Sequence, residues 1–203
     1  MKFFKKINDY RKKKQLETIY KVLDKFAPNL LETETLKIAQ QNLNMQVDTR
    51  IIDDYKRVFV WEPYKGVFPK KTPRIIVDLE TDTGMSALYF NMKYPEASIY
   101  CYDFMGDHYS LLLKNTKEID NITVNEFDIE ELETGFAVID ILKVENDLLF
   151  NELLPKGVDL TNVNTLVIDN PVKDQINFYY AKSVWDIEFF DKIAVLTRRK
   201  WVD

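Results

Sequence analysis

The chain has 203 residues, 46% hydrophobic and 30% charged, enough for one folded domain with a short appendage and too apolar for disorder. Its formal net charge of −5 argues against a broad nucleic-acid surface, which needs clustered basic charge. Cys101 is the only cysteine, which excludes an intrachain disulfide and a cysteine-rich metal site, and no apolar run reaches the roughly 18 residues of a membrane span.

The amino-terminal stretch carries Lys2, Lys5, Lys6, Arg11, Lys12, Lys13 and Lys14 against Asp9. It is basic but lacks the apolar centre of a secretory signal, so the expected compartment is the cytoplasm. Two readings stand: a solvated helix end, or a peripheral membrane or anionic-partner contact with Phe3, Phe4 and Ile7 as its apolar face. Leu16, Ile19, Tyr20, Leu23 and Phe26 follow a three-and-four spacing that predicts an amphipathic helix, stopped by Pro28. Asn29 with Glu32 reads as a capping box ahead of a further helix bearing Leu36, Ile38 and Leu43. Residues 1–45 contain no glycine and read as helical throughout. Pro63, Gly66, Pro69 and Pro73 then cluster, so the expected organisation is a helical segment over 1–62 and a sheet domain over 63–203.

From Arg74 the pattern alternates. Strands are predicted at 74–79, 98–102, 121–126, 138–144, 164–168 and 192–196, with helices at 84–94, 107–118, 147–154 and 175–190. Several of these strands are nearly continuous apolar runs, as burial on both faces of a parallel sheet produces. The predicted fold is therefore α/β, a Rossmann-like, doubly wound and mainly parallel sheet.

The most informative stretch runs from Arg74 to Gly84, where an apolar strand ends in an acid and passes through a tight polar turn to a glycine. Asp78 and Asp103 end the first two strands of the sheet and should face one crevice. Asp103 is a candidate ribose ligand, 19 residues after Gly84, or alternatively a strand-end acid capping the next helix. Glu80-Thr81-Asp82-Thr83-Gly84-Met85 is not G-x-G-x-x-G, which makes NAD or FAD binding improbable. His108 is the only histidine and excludes a histidine-rich metal site; it reads as an exposed helix-start residue or a general base. Glu145, Asp147 and Asp169 read as ordinary strand-end acids, or as ligands for a divalent ion or a base. No metal site is predicted. Trp61, Trp185, Phe178, Tyr179, Tyr180, Phe189 and Phe190 read as core or helix-packing residues, with Tyr179 and Tyr180 in a sugar-stacking groove as the alternative.

Between about Phe59 and Phe190 the chain resembles the FkbM-type S-adenosylmethionine-dependent methyltransferases. The resemblance is carried by Phe59-Val60-Trp61-Glu62-Pro63-Tyr64, by Val77-Asp78 with Gly84-Met85-Ser86-Ala87-Leu88-Tyr89-Phe90, by Tyr94-Pro95-Glu96-Ala97, by Ile99–Asp103, by Leu111–Asn115 and by Ile139–Val144. It implies a class I methyltransferase sheet, S-adenosylmethionine as cofactor and a sugar hydroxyl of a glycan as acceptor. Asp78, Glu80, Asp82 and Gly84 would then seat the methionine part, Asp103 would bind the ribose, and Glu145 would orient or deprotonate the acceptor. The chain departs from the family pattern D-x-G-A-N-x-G, with Glu80, Thr81 and Asp82 replacing Gly, Ala and Asn. Asp103-Phe104 stands for Glu-Pro. Glu145 and Asp147 alter the third motif, whose last positions become Leu148, Leu149 and Phe150.

A side chain at position 80 would occupy space near a cofactor, at a place where the chain is expected to need a φ that only glycine tolerates at little cost. Asp78, Glu80, Asp82 and Asp103 form an acidic cluster that reads as lacking a nearby basic residue. These changes point to a degenerate site and a binding or assembly role toward a partner protein. An active O-methyltransferase is the alternative.

Overall fold

The computed structural model describes residues 32–38, 41–47, 54–104, 106, 108–180 and 184–199. The chain divides between Glu62 and Pro63 into two units. In the first, β1 (Glu32–Ile38) and β2 (Gln41–Val47) pair antiparallel, with Leu36 opposite Leu43. This corrects the helix expected over residues 32–45. Leu43, Met45 and Val47 alternate with Asn42, Asn44 and Gln46, and Leu36 lies two residues from Ile38. That period of two belongs to a strand and prevails over the capping-box signal. The Leu16–Phe26 stripe, its Pro28 stop and the basic amino terminus lie outside the described residues.

The second unit holds a seven-stranded sheet. Its strands are β3 (Ile75–Leu79), β4 (Ser98–Asp103), β5 (Ile122–Glu126), β6 (Ile141–Glu145), β7 (Thr165–Asp169), β8 (Trp185–Phe189) and β9 (Ile193–Arg198). They lie in the order β5-β4-β3-β6-β7-β9-β8. Neighbours from β5 to β7 are parallel, while β9 runs antiparallel to both β7 and β8. Counting β3 as the first strand, this is the doubly wound order 3-2-1-4-5-6 with one reversed strand inserted before the last. The order reverses between β3 and β6, which opens a crevice at their carboxyl ends.

The helices are α1 (Met85–Lys93), α2 (Tyr109–Thr116), α3 (Ile129–Thr134), α4 (Asn146–Leu148, continued by a π-helical turn at Leu149–Leu153) and α5 (Lys173–Tyr180). β7 is buried throughout, and β3 and β6 nearly so, because the sheet is covered on both faces. Val77, Leu142, Val144, Leu166, Ile168 and Leu196 form part of one core cluster.

Two further differences from expectation have physical causes. The helix predicted over 175–190 ends at Tyr180, and Trp185–Phe189 is β8. There Trp185 is buried while Asp186 and Glu188 are exposed, the alternation of a strand with one solvated face. Helix α3 occupies the short connection between β5 and β6, where no helix was predicted. Among the aromatic residues assigned to the core, Trp185 is buried, whereas Trp61, Phe178 and Tyr179 are exposed.

Candidate functional site

The carboxyl ends of β3, β4 and β6 bring the sequence-predicted residues to one end of the sheet. Asp78 lies inside β3, fully buried, and its Oδ2 accepts a 2.6 Å hydrogen bond from the Ser86 hydroxyl of α1. Glu80, Thr81, Asp82 and Thr83 then turn the chain into α1, with Gly84 at its start. Glu80 and Asp82 both adopt φ of 53°, and Gly84 has φ of 90°. Glycine enters this left-handed region without strain and Asp or Asn with little, so Glu80 above all, in the place of the family's glycine, is held there by the fold. Gly84 has a second constraint: a Cβ on it would lie 3.1 Å from Leu112 of α2.

The loop is bound to the sheet by its own polar groups. The Thr81 hydroxyl donates to the Asp78 carbonyl at 2.8 Å, and the Asp82 amide donates to Asp103 Oδ2 at 2.7 Å. Asp103, the candidate ribose ligand at the end of β4, thus already satisfies a backbone donor with one oxygen. Burial is the main cause that raises the Asp103 carboxyl above the usual range, against the pull of the Asp82 hydrogen bond. Glu80 is raised in the same direction, first by burial, with Lys143 opposing and Glu145, Asp82 and Asp103 adding to it.

The residue missed by the sequence reading is Lys143. It lies within the family-like segment Ile139–Val144, and a lysine in the middle of the apolar strand Ile141-Leu142-Lys143-Val144 is a strong signal of a buried cation with acidic partners. Its ammonium lies 3.3 Å from Asp78 Oδ1, 3.7 Å from Asp169 Oδ2 and 4.0 Å from Glu145 Oε1. It donates to the carbonyls of Leu79 at 3.2 Å and Glu80 at 2.9 Å. The expectation of an acidic cluster without a nearby base is therefore corrected, since β6 supplies the cation from underneath. Burial pushes the Asp78 carboxyl up, and Lys143 and Ser86 pull it back.

Tyr64, from the turn before β3, donates to Asp169 Oδ2 at 2.6 Å. Glu145 Oε2 accepts from Asn170 at 3.0 Å. Glu145 and Asp169 thus converge on Lys143, while Asp147 is exposed and lines the neighbouring cleft. That cleft has a volume of about 630 Å³ and lies beside Glu80, with Phe104, Phe127, Asp128 and Leu148 in its wall. The Phe104 and Phe127 rings are 5.0 Å apart. Aromatic walls with carboxylates at the rim suit a flat heterocycle carrying hydrogen-bond donors.

No protein-family model matches the chain, and no curated protein matches it. Solved structures do. A candidate O-methyltransferase from Klebsiella pneumoniae superposes with a TM-score of 0.51 at 14% identity, over 63% of this chain and 74% of that one. The fold is the Rossmann-like fold of class I methyltransferases. A protein of the NADB-Rossmann superfamily from Streptococcus agalactiae gives 0.51 at 18% identity, over 76% of this chain and 70% of its own. The bifunctional kinase-methyltransferase WbdD matches over 62% of this chain with a TM-score of 0.49 and 14% identity, and the chain spans only 35% of its length. No helix among the described residues is long and apolar enough to cross a membrane.

Proposed function

We propose that this chain is a methyltransferase-fold protein with a degenerate S-adenosylmethionine crevice, acting by binding or assembly rather than by methyl transfer. One observation carries the reading: Glu80 and Asp82 stand in the loop in left-handed backbone at φ of 53°, and they put two carboxylates beside the position the methionine part of the cofactor would take. Glu80 would also fill, with a side chain, space that the family pattern leaves to glycine. The cofactor's carboxylate is disfavoured there, because the Asp82 amide that could receive it is bonded to Asp103 and the surrounding side chains are acidic. The resemblance to the FkbM-type family supports descent from glycan O-methyltransferases, and a partner protein or a glycan is the binding target this reading favours.

The open cleft beside Phe104 and Phe127 favours a second reading, an active enzyme that methylates a sugar hydroxyl. In it the cofactor, when bound, supplies the methyl group. Asp103 would hold a ribose hydroxyl through its second oxygen, the Phe104–Phe127 pair would wall the base on one side, and Glu145 at the end of β6 would orient the acceptor hydroxyl or take its proton.

Restoring the loop separates the two. The triple variant Glu80→Gly, Thr81→Ala, Asp82→Asn removes two carboxylates and one left-handed side chain. On the degenerate reading its affinity for S-adenosylhomocysteine, followed by calorimetry, rises about tenfold or more over the parent chain. An unchanged affinity sinks the claim that the loop limits binding.

A further inference from the structure

We propose that a basic pocket at the amino-terminal edge of the sheet, opposite the crevice, binds a small phosphomonoester. The pocket has a volume of about 280 Å³ and is formed by Pro69, Lys70 and Lys71 ahead of β3, Asp140 and Asn164 ahead of β6 and β7, and Thr197 and Arg198 at the end of β9 with Arg199 just after it. Because β9 runs against β7, Thr165 and Thr197 are partners, so the end of β9 meets the beginning of β7 here. In a chain of net charge −5, four cationic side chains around one small concavity need a reason.

The single carboxylate in the wall does not neutralise them. Asp140 Oδ2 accepts from the backbone amides of Arg74 at 2.8 Å and Ile75 at 3.1 Å, and its Oδ1 accepts from Asn164 at 3.2 Å. Its oxygens serve to hold β3, β6 and β7 in register, and the pocket keeps an excess of positive charge. Two of the cations, Lys70 and Arg198, are also held in place. Lys70 donates to the Arg198 carbonyl at 2.9 Å, which uses one of three ammonium donors and leaves two. The Arg198 guanidinium lies 5.1 Å from the Trp185 ring and donates to the Leu160 carbonyl at 2.8 Å. Arg199 pairs with Asp186 at 2.7 Å, but both are exposed, and such a pair contributes little and exchanges readily.

Charge and size select the ligand. A phosphate group brings close to two negative charges and three oxygens that can meet lysine, arginine and threonine donors together, whereas a carboxylate brings one charge and two oxygens. Pro69 and the aliphatic stems of the lysines supply apolar wall for a short carbon chain. The volume sits at the lower limit of ligand pockets and restricts the occupant to a small molecule.

The test is calorimetry on the full chain at fixed ionic strength with inorganic phosphate, glycerol 3-phosphate and glycerol. Both phosphates are expected to bind, the ester at least as tightly, and glycerol not at all. Lys70→Glu with Lys71→Glu should weaken both about tenfold or more. Lys114→Glu with Lys117→Glu, the same charge change at exposed positions of α2 and the residue after it, should leave them unchanged. No binding of either phosphate up to about 10 mM, equal effects of the two charge reversals, or glycerol matching its phosphate would overturn the site. Tighter binding of inorganic phosphate than of the ester would overturn the phosphomonoester assignment.

Discussion

Glu80 and Asp82 hold left-handed backbone at φ of 53°, a conformation that costs an L side chain about 1–2 kcal/mol. The Glu80 amide bonds to the Tyr102 carbonyl at 2.9 Å, so the loop's path is set by the sheet and not by the residue placed in it. A cofactor loop normally spends glycine at such a point; this one keeps the path and changes the residue. Relief of the strain should be specific to glycine. Glu80→Gly is expected to be about 1 kcal/mol more stable than Glu80→Ala in urea unfolding, despite the greater unfolded-state freedom of glycine. Equal stability, or an advantage for alanine, would mean that the left-handed conformation carries no cost here.

Among the elements, β6 matters most, because Lys143 ties it to β3 through Asp78 and to β7 through Asp169. Removing one member of such a buried set leaves uncompensated charge. Lys143→Met should therefore destabilise the fold by about 3–5 kcal/mol at neutral pH. The sign of its pH dependence follows from the carboxylates. Lys143 now lowers the Asp78 pKa against burial, so its loss raises that pKa further above the unfolded value. A carboxyl raised in the folded state binds its proton more tightly there, and stability falls as pH rises through the raised pKa. The deficit of Lys143→Met should thus shrink as the pH is lowered, measured by denaturant unfolding at several pH values. A pH-independent deficit would show that packing, and not charge, is what the lysine supplies.

The same elements explain what was legible in the sequence. β3, β4, β6 and β7 were readable because both faces are buried and few other structures give short, continuous apolar runs. The places of Asp103 and Glu145 at the ends of β4 and β6, and of the Glu80–Asp82 turn after β3, followed from them, whereas Asp78 lies one residue inside the end of β3 and is fully buried. The β1–β2 hairpin was obscured by a helix-start signature, and β8 by its position directly after α5. Lys143 was signalled by its place in an apolar strand, but its partners Asp78 and Asp169 stand on β3 and β7, far from it in sequence, and could not be read there. Gly84 was readable as a turn residue, but its closeness to Leu112 of α2 was not.

At the scale of the whole molecule, the sheet order and the inserted β9 define a methyltransferase-type framework with two opposed ends. The carboxyl end is acidic and holds an internal cation; the amino end is basic. This polarity places the weight of the functional question on one equilibrium. On the present account the crevice no longer accommodates the whole cofactor. Titration of the unmodified chain with S-adenosylhomocysteine, by calorimetry and by thermal unfolding at about 1 mM ligand, measures that directly. A Kd tighter than about 100 μM would add about 1.4 kcal/mol of stability at that concentration and raise the unfolding temperature by several degrees. The account predicts a Kd weaker than about 1 mM and a shift below about 1 °C; saturable binding tighter than about 100 μM with the matching thermal shift would contradict it.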